Sequence, residues 1–378
     1  MSVDSHIYGA DGSETEFAHP AEIRGRGAAS NRSGRFEAAS RAASPEIWDE
    51  EAPPPLKTTI EADGSRTIIS KVPSPDMPFN RSINPYRGCE HGCVYCFARP
   101  THAYLGYSPG LDFETKLVMK PNAAALLRKA LSKPSYKPEP IAIGTNTDPY
   151  QPIEKGLKIM RGVLETLAEF NHPVTIVTKS ALVARDADIL GEMGKRGLAR
   201  VALSLTTLDA GLARRMEPRA ATPQRRLWAM RKLAASGCPV AVMTAPLIPA
   251  INDHEIEALL RAAAASGAKG ASYIVLRLPL EVRDLFVEWL ERHFPDRAAR
   301  VMRYVRELHG GRDYDPQWGK RLVGEGVYAD LIRRRFHRAA AENGLSREQA
   351  PLRVDLFRVQ AEETPQFSFM DRLTEPKR

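Results

Sequence analysis

Gly88-Cys89-Glu90-His91-Gly92-Cys93-Val94-Tyr95-Cys96 packs three cysteines into eight residues, directly after a short β-rich run over 82–87. Three thiolates on so short a loop grip three corners of an iron-sulfur cubane. The fourth iron then has no protein ligand, whereas electron-transfer clusters use all four positions. An open iron accepts an exogenous molecule, so the C-x3-C-x2-C spacing points to catalysis. Gly88 and Gly92 fit that use, because glycine reaches φ > 0 and lets backbone N–H groups approach the sulfides. The same residues also admit a tetrahedral zinc site with His91 or Cys238 as fourth ligand. Zinc sites of that kind pair two half-sites, and the fourth and last cysteine of the chain, Cys238, stands alone before Pro239. It reads as a small buried hydrophobe at the N-terminal end of a strand, away from the C-terminal mouth where ligand groups gather in barrels.

Outward from the loop, β-rich runs over 82–87, 140–145, 174–178, 201–205, 240–245 and 272–276 alternate with helical patterns. Six such strands separated by helices predict an α/β domain with a parallel sheet. Thr222-Pro223 reads as N-cap and first helical residue, with Gly237 as the stop. Asn252-Asp253 opens a second helix, running to about Ser266 and closed by Gly267. Beyond Leu276 the alternation ends, and Ala298, Val301, Val305 and Leu308, then Tyr328, Leu331, Ile332 and Phe336, recur at helical spacing. The expected organisation is a disordered tail over 1–50, a lead-in over 51–80 with a hairpin at 58–72, a core over 81–280 and a helical extension over 281–378.

Composition narrows the classes. With 378 residues, 43% of them hydrophobic, the chain can build a sizeable core, and no apolar run is long enough for a membrane span. The first fifty residues lack the apolar stretch of a secretory signal, and clustered cysteines suit a metal site better than a disulfide framework. A reducing, cytoplasmic setting is expected. The net charge of +8 admits nucleic acid as a partner, although solvated basic helix faces give the same balance.

The C-x3-C-x2-C spacing with an aromatic residue, Tyr95, before the last cysteine resembles the signature of the radical S-adenosylmethionine (radical SAM) superfamily. The likeness covers about 83–279. The run Gly144-Thr145-Asn146-Thr147-Asp148-Pro149-Tyr150-Gln151-Pro152-Ile153-Glu154 resembles the branch related to spore photoproduct lyase. The resemblance implies a partial (β/α)6 TIM-like barrel. Its cofactors would be a 4Fe-4S cluster on Cys89, Cys93 and Cys96 and S-adenosyl-L-methionine (AdoMet) on the open iron. A reductant such as flavodoxin or ferredoxin would supply an electron, and cleavage of AdoMet would give a 5'-deoxyadenosyl radical that abstracts hydrogen from a substrate.

By the same resemblance, strand ends line the AdoMet site. Thr145, Asn146 and Asp148 would serve its methionine end, and Lys179 and Ser204 would make side-chain contacts, with Thr206 beside them. Leu247 and Ile248 would offer backbone to adenine, and Tyr95 an apolar wall. Among the basic residues following the fourth strand, Arg215 or Arg219 would suit the AdoMet carboxylate. Where the spore lyase has a hydrogen-donating cysteine and a second tyrosine, this chain has Thr145 or Asn146, and Phe97. Spore photoproduct repair is therefore not expected. A radical SAM enzyme of unassigned substrate is the leading reading; nucleic-acid repair or modification, and a non-catalytic iron-sulfur or zinc module, are its alternatives.

Overall fold

Short apolar β-branched runs separated by amphipathic helices have one low-cost arrangement, a parallel sheet buried on both faces. The computed structural model, which describes residues 23–37 and 55–359, adopts it. The chain begins with β1 (Thr59–Ala62), β2 (Ile69–Lys71), β3 (Arg81–Ile83), β4 (Tyr86–Arg87), α1 (Asp112–Thr115), β5 (Lys116–Met119) and α2 (Ala123–Leu131). Next come β6 (Ile141–Ile143), α3 (Glu154–Leu157), α4 (Ile159–Glu169), β7 (Val174–Thr178), α5 (Ala187–Lys195) and β8 (Ala199–Ser204). The remainder is α6 (Ala210–Met216), α7 (Pro223–Ser236), β9 (Val240–Leu247), α8 (Ile256–Ala265), β10 (Gly270–Val275), α9 (Val282–His293), α10 (Pro295–Leu308) and α11 (Gly326–Glu342).

The main sheet runs β10-β9-β8-β7-β6-β3-β2. Its six strands from β3 to β10 are mutually parallel, and β2 adds an antiparallel edge. These are the six expected strands. β10 stands at one end of the order and β2 at the other, and among the described residues no ladder joins the two ends. Helices cover its outer face: α4 turns Met160, Val163, Leu164 and Leu167 inward, a spacing of one helical stripe. The hydroxyl of Thr222 accepts from the Arg225 N–H to start α7, and Gly237 at φ 95° ends it, as expected. Asn252 does something else. Its side chain accepts from the Ile248 N–H and donates to the carbonyls of Thr206 and Pro246, tying two strand ends together before α8.

Three expectations change. The hairpin at 58–72 does not form, because β1 pairs in parallel with β5 while β2 pairs with β3. Each strand finds a longer-range partner in a larger sheet, which an isolated hairpin lacks. The first expected strand divides at Asn84-Pro85: β3 joins the sheet and β4 turns away to pair with β5. Residues 23–37, expected to belong to a tail, are packed, whereas 1–22 and 38–50 lie outside the described residues.

What packs 23–37 is largely polar, beside a small apolar cluster of Ile23, Ala28, Leu111 and Leu285. Arg99 and Glu114 form an ion pair with both side chains fully buried. The Arg99 guanidinium also donates to the carbonyls of Cys93, Pro109 and Gly110. Glu114 accepts from the backbone N–H groups of Gly27 and Ala28, both at 2.9 Å. Ser30 donates to Glu288 of α9 at 2.7 Å. The segment is thus a clasp over the cysteine loop. A Cβ on Gly27 would fall 1.7 Å from the Gly92 carbonyl oxygen, so only glycine allows the approach.

Glu114→Gln leaves the buried Arg99 charge uncompensated. The expected loss is about 3–5 kcal/mol of stability, read from the denaturant midpoint, with the clasp at 23–37 becoming protease-sensitive.

Candidate active site

Parallel strands converge their C-terminal ends, and ligand sites collect there. A cavity of about 210 Å³ lies at those ends. Cys89, Cys93 and Cys96 line it together with Tyr95, Phe97, Thr145, Asn146, Asp148, Lys179 and Ser204. Most of the expected site residues are therefore brought to one place by the strand ends of β6, β7 and β8 and by the cysteine loop after β4.

Burial pushes all three thiols above their ordinary range. As free thiols they stay protonated, and metal coordination is what deprotonates such groups. Among the described residues no set of three His, Cys, Asp or Glu side chains is arranged to hold a single metal ion. His91 is turned to Asp148, its Nδ1 at 3.4 Å from Oδ2. Cys238 sits at the start of β9, where burial raises its thiol to about 12.

Asp148 lines the cavity, but its oxygens are occupied. Oδ1 accepts from the Thr178 hydroxyl at 2.7 Å and the Tyr150 N–H at 2.9 Å, and Oδ2 accepts from the Lys179 N–H at 2.7 Å. Burial opposes its ionisation; His91 and these donors outweigh burial and hold the carboxyl at about 2. Asp148 thus orients the strand end that carries Lys179. Burial alone would lower the Lys179 ammonium, but the neighbouring Cys93 and Glu217 outweigh it and keep it above its ordinary value. The ammonium sits 5.7 Å from the centre of the Tyr95 ring and has no hydrogen-bond partner among the described residues.

Behind Tyr95 lies a network that residue patterns did not mark. Glu217, buried just past α6, accepts from the Tyr95 hydroxyl, from Thr206 at 2.9 Å and from Arg226 of α7. Arg226 also donates to the Ser204 carbonyl at 3.1 Å. Burial would raise the Glu217 carboxyl, but Arg226 and Lys179 hold it below the ordinary range. Arg226 belongs to a basic run, and nothing in that run distinguishes the one arginine that is buried from its exposed neighbours.

Several expected contacts fall elsewhere. Thr206 faces Glu217 behind the wall and does not line the cavity. Leu247 and Ile248 are fully buried outside the lining, and the Ile248 N–H is taken by Asn252, because the chain turns under the mouth there; Met243, Ala245 and Pro246 form the β9 wall instead. Arg215 stacks on Phe294, and Arg219 pairs with Glu90 at 3.1 Å, so neither reaches the cavity. On α11, Arg333, Arg335 and Arg338 are engaged in ion pairs with Asp330, Glu257 and Glu342.

The sequence between residues 83 and 263 matches the family model described as the radical SAM superfamily. An uncharacterised protein of Mycobacterium tuberculosis (strain H37Rv) is 40% identical over 270 residues, which are 71% of this chain and 78% of that protein. The chain belongs to the radical SAM superfamily. Its cofactors are accordingly a 4Fe-4S cluster and AdoMet. An uncharacterised protein of Methanocaldococcus jannaschii is 28% identical over 173 residues, covering 46% of this chain and 62% of that one. Among solved structures, spore photoproduct lyase complexed with dinucleoside spore photoproduct aligns with a TM-score of 0.54 at 16% identity, over 76% of this chain and 80% of that one. At that identity the likeness speaks for the radical SAM fold alone. No helix among the described residues is long and apolar enough to cross a membrane.

Asp148→Asn removes a charged acceptor from three buried donors. A loss of about 2 kcal/mol in urea unfolding is expected, and a change under about 0.5 kcal/mol would show that the strand end is held without it.

Proposed function

We propose that Cys89, Cys93 and Cys96 hold the 4Fe-4S cluster and that the adjoining cavity binds AdoMet for radical initiation on a substrate at the barrel mouth. The observation that carries this reading is the shared lining: three cysteine thiols and an unpartnered ammonium, Lys179, face one cavity at the strand ends. The catalytic unit is the core over 81–280, with Met77 and Phe79 of the lead-in completing the cavity lining and the clasp at 23–37 supporting the cysteine loop from outside. When bound, the cluster and AdoMet supply one-electron cleavage to a 5'-deoxyadenosyl radical. An external one-electron donor, flavodoxin or ferredoxin in type, restores the cluster.

The chain's own residues do the rest. Lys179 meets the AdoMet carboxylate, since a partly buried ammonium with no hydrogen-bond partner seeks an anion. Thr145, Asn146 and Ser204 present polar groups to the methionine end. Tyr95, fixed by Glu217 behind it, forms the wall beside adenine, and Met243, Ala245 and Pro246 face it from β9. Asp148 orients Lys179 and steers His91 away from the thiols, which disfavours a zinc site built on His91. Phe97 and Thr145 offer no S–H or phenol O–H, so this chain does not use the hydrogen-returning groups of spore photoproduct repair.

The test is anaerobic. Wild type reconstituted with iron and sulfide, reduced with dithionite and given AdoMet should form 5'-deoxyadenosine, whereas Cys93→Ala should form none. Formation by neither, at full iron and sulfide content in the wild type, would contradict the proposal. Lys179→Gln should retain its iron and sulfide while its Kd for AdoMet rises about tenfold. An unchanged Kd would remove Lys179 from the site.

A further inference from the structure

The cavity has a second cation, at its outer end. Arg277 follows β10 and lines the mouth with Phe97, Phe79 and Met77. Its guanidinium lies 5.0 Å from the centre of the Phe97 ring and 5.9 Å from that of Tyr314. One Nη donates to the Tyr314 hydroxyl at 3.3 Å. The Nε is buried and has no partner.

The carboxylates nearby are committed. Asp76, close enough to feel the Arg277 charge, pairs with Arg321 at 2.6 Å and accepts from the Gly319 N–H at 2.7 Å. Asp315, which acts on the neighbouring His309, accepts from the Gln317 N–H at 2.9 Å. Among the described residues no carboxylate comes within salt-bridge distance of Arg277. Two aromatic faces position a guanidinium without neutralising it. A half-buried arginine left with an unsatisfied donor pays for desolvation with nothing returned unless a ligand arrives.

We infer that Arg277 is the substrate's anion-binding residue: the substrate carries an oxyanion, phosphate or carboxylate, and presents it at the mouth beside the Phe97 ring. Phe97 is 42% exposed, which leaves ring surface for a planar or apolar part of the same molecule. The charge balance separates this site from that of AdoMet, because Lys179 lies deeper, next to Cys93 and Glu217. The inference rests on the proposed function only in taking this cavity as the active site.

The probes are phenyl phosphate and benzoate, titrated calorimetrically into AdoMet-loaded, cluster-containing holoenzyme, with benzyl alcohol as the neutral control. At least one anionic probe should bind the wild type, and its identity distinguishes phosphate from carboxylate. Arg277→Gln should weaken that probe about tenfold or more, with Arg277→Lys intermediate, and should leave the Kd for AdoMet unchanged. Binding of neither anion to the wild type, equal binding of benzyl alcohol, or unaltered probe binding by R277Q would overturn the inference. So would a fall in AdoMet affinity in R277Q, which would assign Arg277 to AdoMet. In the same titration without AdoMet, a cluster-containing wild type that binds phenyl phosphate through Arg277 yet never binds AdoMet would refute the proposed function and leave the anion site standing.

Discussion

A guanidinium sealed from water must satisfy its donors inside the protein, and Arg99 does so by gathering the site around itself. It draws in the Cys93 carbonyl, the carbonyls of Pro109 and Gly110, and the Glu114 carboxylate. A buried carboxylate in turn needs more than one donor, so Glu114 recruits the N–H groups of Gly27 and Ala28. One ion pair thereby fixes the cysteine loop, the turn that precedes α1 and a segment more than seventy residues upstream. A loop carrying three cysteines gains its shape from this pair, since only Gly88 and Gly92 relieve its backbone.

The second buried pair, Glu217 with Arg226, plays the corresponding part on the other side. It holds Tyr95 from behind through the phenol and reaches the end of β8 through the Ser204 carbonyl. Both pairs cancel their own charge. The cations lining the cavity, Lys179 and Arg277, form no direct salt bridge with a carboxylate among the described residues. In a low-dielectric cavity that difference decides where anions settle. The C-terminal third is tied down beside the cavity: the stretch before α11 anchors to Asp76 through Gly319 and Arg321, and the Leu322 carbonyl accepts from the Val275 N–H.

The sheet was legible because its strands are short apolar runs with helical patterns between them, and the cysteine spacing named the chemistry directly. That Thr145, Asn146, Lys179 and Ser204 share one cavity was legible for a simpler reason: each ends or follows a strand, and parallel strands end at the same mouth. What the pattern could not reveal are partners chosen by packing. Nothing near Cys96 marks Arg99 as a buried arginine, and residues 23–37 are polar enough to look unpacked, since their anchors are backbone N–H groups on a carboxylate eighty-odd residues away. Leu247 and Ile248 were misplaced because the turn closed by Asn252 takes the chain under the mouth. The hairpin at 58–72 failed because pairing is decided by which edge is available, and β5 and β3 offered better ones.

The central claim is that one iron of the cluster stays open for AdoMet, and electron paramagnetic resonance of the reduced, reconstituted protein tests it most directly. A ligand arriving at that iron alters the electronic environment of the whole cluster. The account predicts that the g-values of the reduced cluster shift when AdoMet is added, and that Cys93→Ala yields no such cluster. A well-formed 4Fe-4S spectrum that is identical with and without saturating AdoMet would contradict it.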